Sequence, residues 1–135
     1  MYVADIMTAR PVTIDQDDTL RSALELMERV GCHHLPVMGT DGHLVGTALN
    51  SPYILRERWQ DDELVNKLLV RAMMTPAPIV VEPDTPAEEA ARLMLKNHIS
   101  CLPVMRSETL VGIVTTSDIL VAFMNIQKRQ RTREQ

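Results

Sequence analysis

The sequence predicts a mixed α/β fold, of the α+β type, made of two copies of one β-α-β-β-α unit. Two observations predict it. The chain repeats itself at a fixed spacing, and each copy alternates short apolar runs typical of strands with one amphipathic helical pattern. The 135 residues are 45% apolar and only 3% aromatic, so aliphatic side chains and nine methionines are expected to fill the core.

An internal duplication spans most of the chain. Shifted by 67 residues, the first half aligns with the second, and after a one-residue deletion in a turn the alignment stays in register. The matched segments are Met7-Thr8 with Met74-Thr75, Pro11 with Pro78, Leu35-Pro36-Val37-Met38 with Leu102-Pro103-Val104-Met105, and Leu44-Val45-Gly46 with Leu110-Val111-Gly112. Because chance does not hold one register over so many positions, two structural repeats are expected.

Each copy begins with a short strand after a proline and continues into an amphipathic helix. The expected strands are residues 12–15 and 79–82. The N-cap candidates are Asp17, Asp18 and Thr19 in the first copy, and Asp84 and Thr85 in the second. The helix positions expected to face the core are Leu20, Ala23, Leu24 and Met27, matched by Ala87, Ala90, Ala91 and Met94.

Two further β runs and a closing helix complete each copy, with a tight turn between the runs. The expected strands are residues 34–38, 44–49, 101–105 and 110–115, and the closing helices are residues 52–59 and 117–128. The predicted boundaries are 1–59 for the first repeat, 60–66 for a connector, 67–128 for the second repeat and 129–135 for a basic tail. Since a unit of about 60 residues buries only about 60% of its surface, the two copies are expected to share a core.

Composition excludes several classes of function. The formal net charge of −4 argues against a general nucleic-acid binder, which needs a basic surface. Neither a membrane-spanning apolar stretch nor a signal-peptide pattern is present, and Cys32 and Cys101 have no metal-ligand spacing. A cytoplasmic protein with reduced thiols is therefore expected. The sequence also offers no nucleophile–base set and no glycine-rich phosphate loop, so no catalytic residue is assigned and the chain is not expected to be an enzyme.

Several short motifs, taken together and in order, resemble the CBS domain, named after cystathionine β-synthase. They are Asp5-Ile6-Met7-Thr8 with Pro11-Val12, Met73-Met74-Thr75 with Pro78, His34-Leu35-Pro36-Val37, Cys101-Leu102-Pro103-Val104, and the run from Leu110 to Asp118. The resemblance implies two repeats packed sheet to sheet about a pseudo-two-fold axis. It also implies a non-catalytic sensor that binds AMP, ADP, ATP or S-adenosylmethionine in the cleft between the repeats, requires no cofactor and forms a homodimer. A dimerisation module without a ligand is the alternative.

The resemblance places the ligand on Gly112-Ile113-Val114-Thr115-Thr116-Ser117-Asp118. A carboxylate can accept two hydrogen bonds from a cis-diol, which suits Asp118 to the ribose, and Thr115 and Ser117 lie where a helix N-terminus favours phosphate. The same Thr-x-x-Asp spacing is also typical of a helix capping box, which needs no ligand. The base is expected to contact Thr75, Ala77, Pro78, Ser100, Cys101, Leu102 and Pro103.

The first copy departs from this motif. Leu49 stands where threonine is expected and Pro52 where aspartate is expected, so one functional site per chain is predicted. His33 or His34 is a possible contact for a ligand phosphate. Because adjacent residues of a strand point to opposite faces, these two histidines are not expected to bind one metal ion.

Overall fold

The computed structural model describes residues 1–49 and 62–134, which form two compact units. The first-repeat unit is Pro11–Pro78, and the second-repeat unit combines Met1–Arg10 with Ile79–Gln135. The closing helix predicted at residues 52–59 lies outside the described residues. The elements in chain order are α1 (Val3–Ile6), β1 (Thr8–Ala9), β2 (Ile14–Asp15), α2 (Leu20–Val30), β3 (His34–Met38), β4 (Leu44–Leu49), α3 (Asp62–Lys67), α4 (Val70–Met73), β5 (Thr75–Pro76), α5 (Ala87–Asn97), β6 (Cys101–Arg106), β7 (Thr109–Thr115) and α6 (Thr116–Glu134).

The first-repeat unit is built on a four-stranded sheet in the order β2-β3-β4-β5. Strand β2 is parallel to β3, while β3–β4 and β4–β5 are antiparallel. Helix α2 begins at Thr19, whose Oγ1 accepts a hydrogen bond from the Ser22 N–H at 3.2 Å, and ends at Gly31 in the left-handed conformation with φ of 79°. Thr19 is thus the N-cap, which confirms one of the three candidates in this copy.

The core of the first-repeat unit follows from the amphipathic pattern of α2. The four positions predicted to face inward, Leu20, Ala23, Leu24 and Met27, are all buried. Ala23 and Met27 pack with Leu35 and Val37 of β3, while Leu20 and Leu24 pack against Val65 of α3. The connector thus contributes to the core, because α3 covers the part of α2 that the sheet does not.

The second-repeat unit has a three-stranded antiparallel sheet in the order β1-β7-β6. Its core is a cluster of buried residues from α1, α5 and the strands: Val3, Val81, Ala90, Met94, Leu102, Val104 and Val114. The strand predicted at residues 79–82 is reduced to a single bridge between Val81 and Val104. Val81 is buried while Ile79 and Val80 are exposed, so only Val81 is held against β6.

The compact units do not coincide with the sequence repeats. Strand β1, from the start of the first repeat, pairs with β7 of the second, and β5, from the start of the second repeat, pairs with β4 of the first. The chain passes from one unit to the other directly before Pro11 and directly after Pro78. Each unit therefore takes the edge strand of its sheet from the other repeat.

Two helix ends differ from the sequence prediction. The N-cap of α5 is Pro86, and Oγ1 of Thr85 instead accepts a hydrogen bond from the Glu82 N–H at 3.0 Å, so the cap predicted at Asp84 or Thr85 is wrong. The turn before α5 uses this hydroxyl, which leaves it unavailable to the helix. Helix α6 continues through the basic residues to Glu134, whereas the sequence predicted that it would end near Lys128.

Candidate functional site

The junction between β7 and α6 carries the motif that the sequence singled out. The Thr115 N–H and its Oγ1 both donate hydrogen bonds to Oδ2 of Asp118, at 2.8 and 3.0 Å. The Asp118 N–H lies 3.3 Å from Oγ1 of Thr115. These contacts form a capping box, in which each residue satisfies a backbone donor of the other. The capping interpretation of Thr-x-x-Asp is therefore realised in the structure.

The capping box uses only one oxygen of the aspartate. Every hydrogen bond that Asp118 accepts from the described residues ends on Oδ2, and its side chain is only partly buried. Oδ1 can therefore accept hydrogen bonds from a ligand while the helix cap stays in place, because a carboxylate has acceptor sites on both oxygens.

The backbone donors at the start of α6 are partly consumed within the unit. The N–H of Thr116 donates to the Ser100 carbonyl oxygen at 3.0 Å, and that of Asp118 is directed at Thr115. Oγ1 of Thr116 also donates to the Ser100 oxygen, at 3.3 Å. Ser117 is exposed, and no residue of the described ranges is recorded as a hydrogen-bond partner of its N–H or hydroxyl, so both groups can bind an anion.

Strand β6 places the other predicted residues of this unit beside the motif. Cys101 pairs with Thr115, Leu102 with Val114 and Pro103 with Ile113. The side chain of Leu102 belongs to the hydrophobic core, Cys101 and Pro103 are buried, and Ser100 is half-buried. Of these four predicted residues, Ser100 is the most exposed.

The segment that lies next to the motif on its other side is β1, which the sequence analysis missed. Thr8 pairs with Ile113 and Ala9 with Gly112, and the N–H of Arg10 donates to the Val111 carbonyl oxygen at 3.2 Å. Thr8 and Thr75 occupy the same position in the two repeats, so the duplication does not show which repeat's sheet each residue joins.

Thr75, Ala77 and Pro78 lie in the first-repeat unit. Thr75 is in β5 opposite Thr47 of β4, and the N–H of Ala77 donates to the Val45 carbonyl oxygen at 3.3 Å. Ala77 has a φ of 48°, close to the 51° of Arg10, its counterpart in the repeat. The contact of these three residues with the ligand of Asp118 stays a prediction.

The first-copy motif is described only in part. Strand β4 ends at Leu49, which pairs with His34, and Pro52 lies outside the described residues. His33 is exposed and His34 half-buried, and their contact with a phosphate stays a prediction. Within residues 1–49 and 62–134, no group of three or more histidine, cysteine, aspartate or glutamate side chains could hold a metal ion. No helix in the same ranges is both long and apolar enough to cross a membrane.

Comparison with known proteins identifies the repeats. The family model for the CBS domain matches residues 3–48 and 70–125. A CBS domain-containing protein of Dictyostelium discoideum is 32% identical over 135 residues, which covers 93% of each chain.

Two solved structures extend the similarity to three dimensions. CBSX2 in complex with AMP superposes with a TM-score of 0.76 at 30% identity, covering 93% of this chain and 98% of the other. A second structure names CBSX2 as a CBS-pair protein from Arabidopsis thaliana. The CBS domain pair of protein MJ0100, solved with 5′-methylthioadenosine and S-adenosyl-L-methionine, gives a TM-score of 0.80 at 28% identity, covering 93% and 97%. With two matched segments and neighbours that are themselves CBS pairs, the chain belongs to the CBS domain family and is a tandem CBS domain protein.

Proposed function

We propose that this chain is a non-catalytic regulatory module that binds an adenosyl ligand through Asp118. The observation that carries the proposal is the division of labour within this carboxylate: Oδ2 caps α6, and Oδ1 is left for the ribose hydroxyls. The ligand then adds hydrogen bonds without breaking those of the folded chain. Both readings of the Thr-x-x-Asp motif hold together in this arrangement.

The relatives support the chemical class of the ligand. One structural neighbour was solved with AMP and another with 5′-methylthioadenosine and S-adenosyl-L-methionine, which share an adenosine group. Adenosine carries the ribose diol that suits Oδ1 of Asp118, and Ser117 offers an N–H and a hydroxyl to whatever group the 5′ carbon bears. AMP, ADP, ATP and S-adenosylmethionine are therefore the ligands we propose.

A structural dimerisation module is the second candidate, and the surface of α6 favours it. Four large apolar side chains on this helix are more than half exposed: Leu120, Val121, Phe123 and Met124. Exposed apolar clusters of this kind mark protein interaction sites. We propose that a second copy covers them, in a cytoplasmic homodimer. Ligand binding and dimerisation are compatible, since α6 uses its first turn for the ligand and its second turn for the second copy.

Thermal-shift measurements with the four adenosyl ligands test the proposal. A ligand that binds only the folded chain raises the free energy of unfolding, by about 2.7 kcal/mol at 100 times its Kd. The melting temperature therefore rises with ligand concentration. We expect at least one of the four to raise the melting temperature of the chain, and buffer alone to leave it unchanged. A chain that dimerises but is stabilised by none of the four would leave the structural module as its function.

A further inference from the structure

We propose that the last two turns of α6, residues 127–134, bind double-stranded DNA in its major groove. This function goes beyond nucleoside binding and does not depend on it, because it uses the opposite end of the helix from Asp118. Three features of α6 support it: the exposure of this end, the arrangement of its cations and the polar side chains that lie between them.

The end of α6 is exposed on every side. Residues 123–134 are all exposed, and all belong to the helix that ends at Glu134. Because eight successive residues span more than two turns, residues 127–134 include every side of the helix. An α-helix with its side chains is about 10–12 Å in diameter, and the major groove of B-DNA is about 12 Å wide. This end of the helix can therefore enter a groove that has a wall on each side.

The cations at this end form two pairs on nearly opposite sides of the helix. Lys128 and Arg131 are three residues apart and share one side, while Arg129 and Arg133 are four apart and share another. The midpoints of the two pairs are about 150° apart around the helix axis. None of the four forms an ion pair within residues 1–49 and 62–134. Cations on two sides match the two phosphate walls of a groove, whereas a membrane or a flat acidic protein surface contacts one side of a helix.

A polar stripe lies between the two pairs. Gln127, Gln130 and Glu134 are on this stripe, about 105° from each pair. Glutamine can hydrogen-bond the edge of adenine, and glutamate can accept a hydrogen bond from cytosine. Thr132 is on the opposite side of the helix, and its Oγ1 donates to the Lys128 carbonyl oxygen at 3.1 Å. A helix that places its cations on the phosphate walls therefore turns its glutamines and Glu134 toward the bases.

The charge of the chain is distributed unevenly, and this confines the contact to the helix end. Residues 128–134 carry four cations and one anion, so the rest of the chain has a formal net charge of −7. The phosphates of DNA repel that remainder and attract the end of α6. With four phosphate contacts, the logarithm of the binding constant should fall against the logarithm of the salt concentration with a slope of about −3.6.

Fluorescence anisotropy of a labelled DNA duplex of mixed sequence, at about 50–200 mM salt, tests this proposal. Arg129→Ala with Arg133→Ala, and Lys128→Ala with Arg131→Ala, should each weaken binding and each bring the slope to about −1.8. Alanine favours a helix at least as strongly as the residues it replaces, so α6 should persist. Arg29→Ala with Arg106→Ala is the matched control. It removes two exposed arginines outside α6 and should leave the slope unchanged.

A second pair of variants tests which side of the helix faces the bases. Gln130→Glu and Thr132→Glu each add one negative charge, but on nearly opposite sides of α6. Gln130→Glu should weaken DNA binding by about ten-fold or more relative to Thr132→Glu, because it brings a carboxylate into the groove. Equal losses in the two variants would overturn the groove contact.

Other nucleic acids and surfaces complete the test. The major groove of an RNA duplex is deep and narrow, so RNA of the same sequence should bind more weakly than DNA. Equal binding of the two duplexes would overturn recognition of the major groove. Binding to vesicles of anionic phospholipid without binding to DNA would assign this helix end to a membrane surface instead. Absence of DNA binding at about 50 mM salt would overturn the proposal and leave nucleoside binding by Asp118 untouched.

Discussion

Met7 and Gly112 pack so closely that no side chain fits between them. A Cβ atom added to Gly112 would lie 2.5 Å from Sδ of Met7 and 3.1 Å from the Thr8 carbonyl oxygen. The other repeat has the same arrangement, where a Cβ on Gly46 would lie 2.7 Å from the Thr75 oxygen and 2.8 Å from Sδ of Met74. Glycine at these two positions is what lets β1 and β5 join their sheets.

Alanine at these glycines should destabilise the chain to different degrees. The nearest atom to a Cβ at Gly112 belongs to a flexible methionine, but at Gly46 it is a backbone oxygen that cannot move alone. We expect Gly46→Ala to lower the free energy of unfolding by about 1–3 kcal/mol and Gly112→Ala by less. Denaturant unfolding of both variants measures the difference. Met7→Ala should recover stability in the Gly112→Ala background, whereas Met74→Ala should recover little in the Gly46→Ala background. Equal costs and equal recoveries would contradict this account.

Removing the carboxylate of Asp118 should affect both stability and affinity. Asp118→Ala loses the cap of α6, worth about 1 kcal/mol, and the charge-assisted hydrogen bonds to the ribose, each worth roughly 1.5–3 kcal/mol. Ribonucleotide affinity should fall by about ten-fold to a thousand-fold, and a 2′-deoxynucleotide should bind the unmodified chain more weakly than the ribonucleotide.

Thr19→Ala is the matched control for this change, because it removes the side-chain cap of α2 in the other unit. It should lower the melting temperature to a similar extent and leave affinity unchanged. If Asp118→Ala behaves in the same way as Thr19→Ala in both measurements, the carboxylate is a helix cap and nothing more.

The two copies of the motif should differ in ligand binding. Leu49 and Pro52 replace the threonine and aspartate in the first copy, and neither can donate to a phosphate or accept from a diol. Calorimetric titration should therefore give about one nucleotide per chain. Two equal sites would show that the first copy uses other groups.

The apolar surface of α6 should hold two copies of the chain together. Phe123 is 58% exposed and Met124 65% exposed, and burying such side chains contributes roughly 1.5–3 kcal/mol each. Light scattering at micromolar concentration should give the mass of a dimer, and Phe123→Glu combined with Met124→Glu should give a monomer. Thr132→Glu, near the end of the same helix, should leave the mass unchanged. A monomer before any substitution would exclude this surface as a dimer contact.

The sequence predicted elements whose signal is local. Thr19 and the inward positions of α2 were identified because capping and helical periodicity depend only on neighbouring residues. The cap of α5 was misassigned because Oγ1 of Thr85 accepts a hydrogen bond from the Glu82 N–H. The sequence does not show whether this hydroxyl accepts from the preceding turn or from the helix. The role of β1 was missed for a different reason. Its pairing with β7 joins residues more than a hundred positions apart, and both repeats offer the same short segment for it.

The exchange of edge strands has a consequence for inheritance. A gene fragment encoding only the second copy would produce β7 without β1, with a row of unpaired backbone N–H and C=O groups open to any extended chain nearby. A fragment encoding only the first copy, ended before β5, would expose β4 in the same manner. Shuffling or deletion of a single copy would thus yield an aggregation-prone product, and recombination is expected to preserve the two copies as one cassette.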